Sequence, residues 1–258
     1  AGFNNSIGSL AGGGANSFVQ STGGAATLTT GGNNTSTAYA GVIRNGTGTL
    51  SLTKVGTGTQ TLSGTNTFTG PVNVNAGTLS LQNGAAIADS VDVTVTNPGT
   101  LNLVNSETIG SLAGSGNATL NAQTLTTGGN NNSTTLSGII SGAGGSLTKN
   151  GSGIFTVTGA NTYSGTTTLN AGTLAVGNGS GLGTANLIVN AGFLQTVGGP
   201  LVVNIGGGNI AINGGTAVFN VGGTLPGVNH DQLLTTGANG VIGGTLALVQ
   251  TGSYQLAP

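Results

Sequence analysis

Short runs of the chain alternate apolar and polar residues with a period of two. The segment 91–95 reads V-D-V-T-V and the segment 78–81 reads T-L-S-L. Successive side chains of a β-strand point to opposite sides, so this alternation is typical of a half-buried strand. Gly and Asn, which tolerate left-handed backbone, interrupt the runs every few residues, and no stretch has the helical spacing of apolar residues. The pattern therefore predicts many short strands and no helix.

The strands belong to an internal repeat. The segment TLSGTNTFTGPVNVNAGTLSLQNG (61–84) returns 95 residues later as TVTGANTYSGTTTLNAGTLAVGNG (156–179), and a shorter period of 19–20 residues lies inside each copy. A unit of this length with two or three short strands cannot bury its apolar face alone, but it can bury that face by coiling into a solenoid. We expect one β-solenoid domain over residues 1–258, with duplicated segments 7–95 and 109–189 and further turns in 190–258.

The apolar members of the alternating runs are the expected core of this solenoid, which would have roughly 10–13 turns at the ~4.8 Å spacing of paired strands. A β-sandwich is the main competing fold, but it does not explain the 19–20 residue period, and two-residue hairpin turns are nearly absent. Residues expected to point inward include Leu62, Val72, Val74, Leu79, Leu81, Val157, Leu169, Leu174 and Val176.

Turn residues keep their places in both copies, and we interpret them as structural. The Gly and Asn residues are expected to form turns, the aromatic residues to pack at separate corners, and the leucines to enter the core. In the first copy these positions are Gly64, Asn66, Phe68, Gly70, Asn75, Gly77 and Leu79, and in the second they are Gly159, Asn161, Tyr163, Gly165, Asn170, Gly172 and Leu174.

Composition limits the partners that the chain can bind. Only seven of its 258 residues are charged, and the net charge is −1. Three scattered basic residues cannot form the patch that binds nucleic acid or an anionic membrane surface. No apolar run approaches the ~20 residues of a membrane-spanning helix. We therefore expect neither nucleic-acid binding nor membrane insertion by this segment, and 36% regularly spaced hydrophobic residues favour a folded chain over a disordered one.

Few residues could carry chemistry. Cysteine is absent and His230 is the single histidine. The neighbouring Asp231 cannot readily lie on the far side of the imidazole, as a catalytic set requires, so we interpret Asp231 as forming a local side-chain turn with His230 at a corner. Asp89 and Asp92 are the closest acid pair, but Asp92 alternates with valines and should face outward, not across a cleft as in a glycosidase. We expect no catalytic centre, no cofactor and no bound metal.

The segments GTQTLSGTNTFTGPVNVNAGTLSL (58–81) and GIFTVTGANTYSGTTTLNAGTLAV (153–176) resemble the autotransporter-associated β-strand repeat of bacterial passenger domains. The segment Gly215–Pro258 is similar to the C-terminal end of such passengers, although His230 stands where the family often has a tyrosine before D-Q-L. This resemblance implies a right-handed parallel β-helix that is extracellular, at a bacterial cell surface. The opening residues AGFNNSIGSL lack the basic start and apolar stretch of a signal peptide, so we expect that peptide to lie outside this sequence.

Three functions stay open at this stage. The leading hypothesis is a non-enzymatic structural solenoid, a surface passenger or stalk used in adhesion. The alternatives are a subunit of a head-to-tail extracellular filament and a polysaccharide-binding or polysaccharide-active β-helix. Terminal turns of a solenoid expose unpaired backbone groups, so self-association through the rod ends is expected, and a surface glycan or protein is the other partner class considered.

Overall fold

The computed structural model describes residues 3–14, 16–221, 230–235 and 240–250, and in them the chain forms a parallel β-solenoid. Its strands are short because Gly and Asn end each alternating run after a few residues. Strands 17–30 residues apart pair in parallel, most of them at 19–24 residues, as in the pairs Thr100↔Thr78 and Leu174↔Leu194. The predicted all-β solenoid is thus confirmed.

In chain order the strands are β1 (Asn5–Ile7), β2 (Phe18–Gln20), β3 (Ala26–Thr30), β4 (Thr37–Tyr39), β5 (Val42–Arg44), β6 (Leu50–Lys54), β7 (Thr59–Leu62), β8 (Val72–Val74), β9 (Thr78–Leu81), β10 (Asp92–Val95), β11 (Thr100–Leu103), β12 (Glu107–Thr108), β13 (Ser111–Gly114), β14 (Asn117–Thr119), β15 (Thr124–Thr127), β16 (Thr134–Leu136), β17 (Ile140–Ser141), β18 (Ser146–Lys149), β19 (Ile154–Val157), β20 (Thr167–Leu169), β21 (Thr173–Val176), β22 (Leu187–Val189), β23 (Phe193–Thr196), β24 (Val202–Asn204), β25 (Ile210–Ile212), β26 (Thr216–Val221), β27 (Gln232–Leu234), β28 (Gly240–Ile242) and β29 (Thr245–Gln250).

Three sheets form the walls of the solenoid. Within the described residues, sheet 1 has 12 strands in the order β1-β3-β6-β8-β10-β13-β16-β19-β21-β23-β26-β29, sheet 2 has β17-β14-β11-β9-β7-β4, and sheet 3 has β12-β15-β18-β20-β22-β25-β28. The chain visits sheet 1, then the side of sheet 2, then the side of sheet 3 before it returns. We number each turn by its strand in sheet 1, so that turn 4 begins with β8 and turn 8 with β19. Two further two-stranded pairs, β2-β5 and β24-β27, lie outside these sheets.

The two repeat copies occupy different walls. Strand β6 of the first copy lies in sheet 1, whereas its counterpart β18 lies in sheet 3; likewise β7 lies in sheet 2 and β19 in sheet 1. The 95-residue offset therefore corresponds to four turns and two walls instead of a whole number of turns. Equivalent residues of the two copies consequently project in different directions around the solenoid.

Stacked aliphatic side chains fill the interior. The column Leu79–Leu101–Ala118–Ile140 continues through four turns of sheet 2, and each member is fully buried. Because the aliphatic side chains of successive turns stack on one another, apolar surface is removed from water in every turn. This burial is the main stabilisation available to such short strands. All nine residues expected in the core are at most 1% exposed, so that prediction is confirmed.

Candidate functional site

The asparagine of the repeated motif joins three successive turns. The side chain of Asn66 accepts a hydrogen bond from the Ile43 N–H (2.6 Å) and donates one to the Ala86 carbonyl (2.8 Å). Asn161 does the same with the Ile140 N–H (2.8 Å) and the Gly181 carbonyl (2.7 Å). Both asparagines are nearly fully buried. Because the chain forms no strand at either position, the amide group supplies the donor and acceptor that a sheet would provide.

The aromatic residues of the motif lie in the core. Phe68, on the side of sheet 3, and Tyr163, on the side of sheet 2, are both fully buried. The Tyr163 hydroxyl contacts Thr167 Oγ1 at 2.5 Å, and that oxygen donates to the Leu182 carbonyl. Burial raises the pKa of Tyr163 well above its usual range, although the Thr167 hydrogen bond opposes this. The two rings pack in separate turns and fill the interior, where no glycan could reach them.

Close backbone approach explains the repeated glycines. Gly77 and Gly172 have positive φ angles of 62° and 67°, and a Cβ atom on either would come within 2.4 Å of a carbonyl oxygen of the preceding turn. A side chain is thus excluded both by backbone conformation and by space. A Cβ atom added to any of the remaining motif glycines would come within 2.0–2.4 Å of an atom of the chain segment stacked beneath it. These glycines are Gly64, Gly70, Gly159 and Gly165.

The exposed asparagines of the motif behave differently in the two copies. Asn170 donates to Asn150 Oδ1 and accepts from Asn190 Nδ2, both at 2.9 Å, and Asn213 extends this ladder at 2.8 Å. Asn75 is also exposed, and its backbone N–H donates to the Lys54 carbonyl. Leu79 and Leu174, which close the two motifs, are fully buried as expected.

Two buried lysines are structural residues that sequence reasoning missed. Lys54 and Lys149 occupy the same repeat position and are 0% exposed. The Lys149 ammonium donates to the carbonyls of Asn150 (2.6 Å), Gly151 (2.9 Å) and Ala171 (3.3 Å), and Lys54 makes the corresponding three bonds. Burial lowers the pKa of both lysines. The signal was the segment L-T-K, which returns at the 95-residue offset at 52–54 and 147–149.

Asp92 is held on the outer side of sheet 1, as expected from its alternation with valines. Its carboxylate accepts hydrogen bonds from the hydroxyl of Ser111, from Asn130 Nδ2 (2.6 Å) and from Asn132 Nδ2 (2.9 Å). Burial alone would raise the pKa of Asp92, but the three side-chain hydrogen bonds outweigh it, and the net pKa is lowered. Its oxygens are therefore engaged in joining turns, and Asp89 is separately exposed.

The interpretation of Asp231 as a local turn is wrong. This carboxylate is 6% exposed and accepts hydrogen bonds from Thr196 Oγ1 (2.6 Å), the Leu201 N–H (2.7 Å), and both the backbone (2.7 Å) and side-chain (2.8 Å) N–H groups of Asn220. These donors lie 11–35 residues away in sequence. Asp231 therefore joins turn 11 to turn 10 by accepting hydrogen bonds from half-buried donor groups of both turns. His230, beside it, is half-buried.

Glu107 is a second buried charge that the sequence did not reveal. It is 2% exposed, and it pairs with Leu125 at an inward-facing position of sheet 3. Its carboxylate accepts hydrogen bonds from the N–H groups of Ile87 (2.9 Å) and Ala86 (3.3 Å). Burial raises the pKa of Glu107 to about 7, against the effect of these two donors, and the charge of Asp89 adds to the rise.

Four of the seven charged residues are thus buried: Lys54, Glu107, Lys149 and Asp231. The guanidinium of Arg44 stacks on the Phe18 ring at 3.9 Å and donates to Gln20. Across the described residues no group of three or more His, Cys, Asp or Glu side chains could hold a metal ion. The outer side of sheet 2 carries a column of neutral hydroxyl and amide groups, Thr61–Ser80–Asn102–Thr119, of which Ser80 is buried and the others are partly exposed.

These features define a repeat-built parallel β-solenoid whose polar residues join turn to turn. Two segments, residues 52–81 and 147–176, match the family model of the passenger-associated-transport-repeat. The matched segments contain the buried lysine, the joining asparagine and the buried aromatic residue of each copy. The resemblance seen in the sequence is confirmed: the chain carries repeats of the autotransporter passenger type.

The chain is also similar to a curated relative, the adhesin BmaC autotransporter of Brucella suis biovar 1 (strain 1330). The two are 36% identical over 152 residues, which cover 58% of this chain and 4% of that adhesin. The chain thus matches only a small part of its relative. No solved structure matches the chain. Within the described residues, no helix has the length and apolar character needed to cross a bilayer.

Proposed function

We propose that this chain is a non-enzymatic segment of an autotransporter passenger, which acts as a stalk in bacterial adhesion at the cell surface. The observation that carries the proposal is the location of the repeated residues. Asn66 and Asn161, Phe68 and Tyr163, and the lysines of the two copies are buried. The repeat therefore specifies how a turn closes on its neighbours and presents no common ligand-binding surface.

The position of the copies gives independent support. A binding site that was repeated for multivalent attachment would best lie along one side of the rod, but the copies lie on different walls. Similarity to an autotransporter adhesin supports an extracellular, cell-surface role and a part in attachment. The buried charges support a non-enzymatic role, since each is engaged by backbone or side-chain groups of the solenoid.

The proposal can be tested in the full-length protein on its own bacterium. One strain lacks the segment, and a second carries in its place an unrelated β-solenoid of equal turn number. We expect the deletion to reduce attachment to cultured host cells and the replacement to restore it, with surface display verified by antibody labelling. Unchanged attachment after deletion would contradict a role in adhesion. Failure of the replacement would place binding contacts on the segment itself and refute the stalk assignment.

The non-enzymatic part needs a separate measurement. Purified chain is incubated with a panel of neutral and acidic polysaccharides, and the reducing ends released are measured. We expect no turnover above that of heat-denatured chain. Polysaccharide cleavage that is lost on Asp92→Asn or Asp231→Asn substitution would refute this part. The filament and polysaccharide-binding alternatives stay predictions.

A further inference from the structure

Asn–Gly dipeptides recur between the strands of this solenoid. In the described residues they begin at Asn45, Asn83, Asn150, Asn178 and Asn213. Asparagine is a thermolabile residue, and a following glycine has no side chain to hinder the attack of its backbone nitrogen on the asparagine side-chain carbonyl carbon. This ring closure requires the two atoms to come together, so an asparagine side chain that is held elsewhere reacts more slowly.

Three of these side chains, those of Asn45, Asn150 and Asn213, are hydrogen-bonded to a neighbouring turn. Asn45 Nδ2 donates to Thr69 Oγ1 (2.8 Å), and Asn45 Oδ1 accepts from the Thr69 N–H (3.2 Å). Asn150 and Asn213 are the two ends of the asparagine ladder, where each bonds to the asparagine of the adjacent turn, at 2.9 and 2.8 Å. To reach the following glycine, each side chain would have to give up a bond between turns.

The other two asparagines occupy the same repeat position, 95 residues apart, and differ in how they are held. Asn83 Nδ2 donates to the Ser63 carbonyl of the turn below (2.8 Å), and Asn83 Oδ1 accepts from the Ala85 N–H (2.8 Å). Asn178 keeps only the local bond, in which its Oδ1 accepts from the Ser180 N–H (2.9 Å). Within the part of the chain that the structure describes, Asn178 Nδ2 has no hydrogen-bond partner. Its side chain is therefore tied to its own loop alone.

The backbone nitrogen of Gly179 is also available for the reaction. Its N–H donates no hydrogen bond to a described group, and Asn178 and Gly179 are both partly exposed, so water and hydroxide can reach them. The Gly179 carbonyl accepts from the Asn204 N–H of the next turn (2.8 Å), which keeps the loop in place. The two reacting groups are thus free in a loop that is itself anchored.

We propose that Asn178 is a self-modification site, at which the Gly179 nitrogen attacks Asn178 Cγ. The N–Cγ bond forms while the Cγ–Nδ2 bond breaks, and Nδ2 leaves as ammonia with the proton lost by Gly179. Water then opens the five-membered imide at one of its two carbonyl carbons. Breaking the bond to Cγ leaves an aspartate at position 178, and breaking the bond to the main-chain carbonyl carbon leaves an isoaspartate. Either product adds one negative charge to a chain whose net charge is −1.

The modification alters a loop that joins turns. The Gly181 N–H donates to the Asn178 carbonyl (2.9 Å), and the Gly181 carbonyl accepts from Asn161 Nδ2 (2.7 Å). In the isoaspartate product the main chain passes through the former side chain, so it gains a methylene group, and the carbonyl that Gly181 uses becomes a pendant carboxylate. The bond from Asn161 is then made to a loop of different length.

Peptide mapping of the intact chain by mass spectrometry tests the site, after incubation at mildly alkaline pH and digestion with pepsin in acid. In the folded chain we expect modification of Asn178 to be about 2- to 10-fold faster than that of Asn83, the factor that one net hydrogen bond contributes. In urea, which removes the bonds between turns, all of these dipeptides should react at similar rates. Hydrogen exchange of the modified chain should become faster in peptide 179–185 and stay unchanged in peptide 84–90.

Two variants separate the hydrogen bonds from the dipeptide. Asn178→Gln should abolish the modification at this position, because glutamine would have to close a larger ring. Asn170→Ala removes the ladder bond to Asn150 and should raise the rate at Asn150 towards that of Asn178. The second variant thus creates a reactive site without a change in the reacting dipeptide.

Equal rates at Asn83 and Asn178 in the folded chain would overturn the proposal. A preference for Asn178 that persists in urea would assign the effect to the neighbouring sequence and also overturn the structural basis. An unchanged rate at Asn150 in Asn170→Ala would refute the role of the hydrogen bonds between turns. If that variant fails to fold, the comparison of folded and urea-unfolded wild-type chain still decides. Unchanged exchange of 179–185 after complete modification would refute the effect on the loop.

Discussion

Replacing Asn161 with leucine is the sharpest test of how the turns are joined. Leucine has the same branched side-chain skeleton, with two methyl groups in place of the amide oxygen and nitrogen, so it leaves no cavity, and its greater volume adds some overpacking strain. The substitution leaves the Ile140 N–H and the Gly181 carbonyl without partners, and both groups are buried. An unsatisfied buried polar group costs about 1–3 kcal/mol, so the loss should be about 2–6 kcal/mol in the free energy of unfolding. Urea titration followed by far-UV circular dichroism measures this loss.

The matched control is Asn170→Leu, which removes an exposed asparagine nine residues away in the same copy. Exposed groups can bond water instead, so this change should cost less than about 1 kcal/mol. Hydrogen exchange at the Ile140 amide should accelerate in Asn161→Leu and not in the control. If the two variants lose equal stability, or if the Ile140 amide stays protected, the buried asparagine does not join the turns as argued.

Three further predictions follow from the buried and exposed groups. Lys149→Met should lower the unfolding free energy by about 2–5 kcal/mol, because three backbone carbonyls lose a charged donor, and urea titration checks it. The pKa of Asp92 is lowered in the folded state, so the ionised carboxylate stabilises the fold above its unfolded pKa, and this contribution is lost as the pH falls through the folded pKa. Asp92→Asn should therefore make the unfolding free energy less dependent on pH at acid pH. Val241 and Ile242 are 60% and 59% exposed, so we expect the chain to associate with rising concentration in sedimentation velocity. Changing both residues to Ser should reduce this association, and an unmodified chain that stays monomeric would contradict the expectation.

The fold could be predicted because local pattern and repetition both point to it. Alternation placed Leu79 and Leu174 in the core, since a period of two leaves only one side for the apolar residues. The wall on which each strand lies could not be predicted in the same way. The wall depends on the summed lengths of many loops. A period of 19–20 residues does not reveal that an offset of 95 residues equals four whole turns plus two further walls.

The polar joints show a different limit of sequence reasoning. Charged residues are rarely buried, so Lys149 and Glu107 were not expected inside, although the return of L-T-K marked the lysine position. The four bonds of Asp231 come from donors that only the coiling of the chain brings together. Local geometry favoured an Asx-type turn there, but the buried carboxylate instead finds its donors in two adjacent turns.

The displacement of the two copies by two walls affects how a longer array would display its surface. If further copies kept the same offset, each would be rotated by a third of the circumference, and every third copy would face the same side again after fourteen turns, or about 67 Å at ~4.8 Å per turn. An antibody raised against an exposed loop of one copy would find its next equivalent epitope on another side. Immune recognition of such an array would gain little avidity from neighbouring copies, because two binding arms could not engage them along one line.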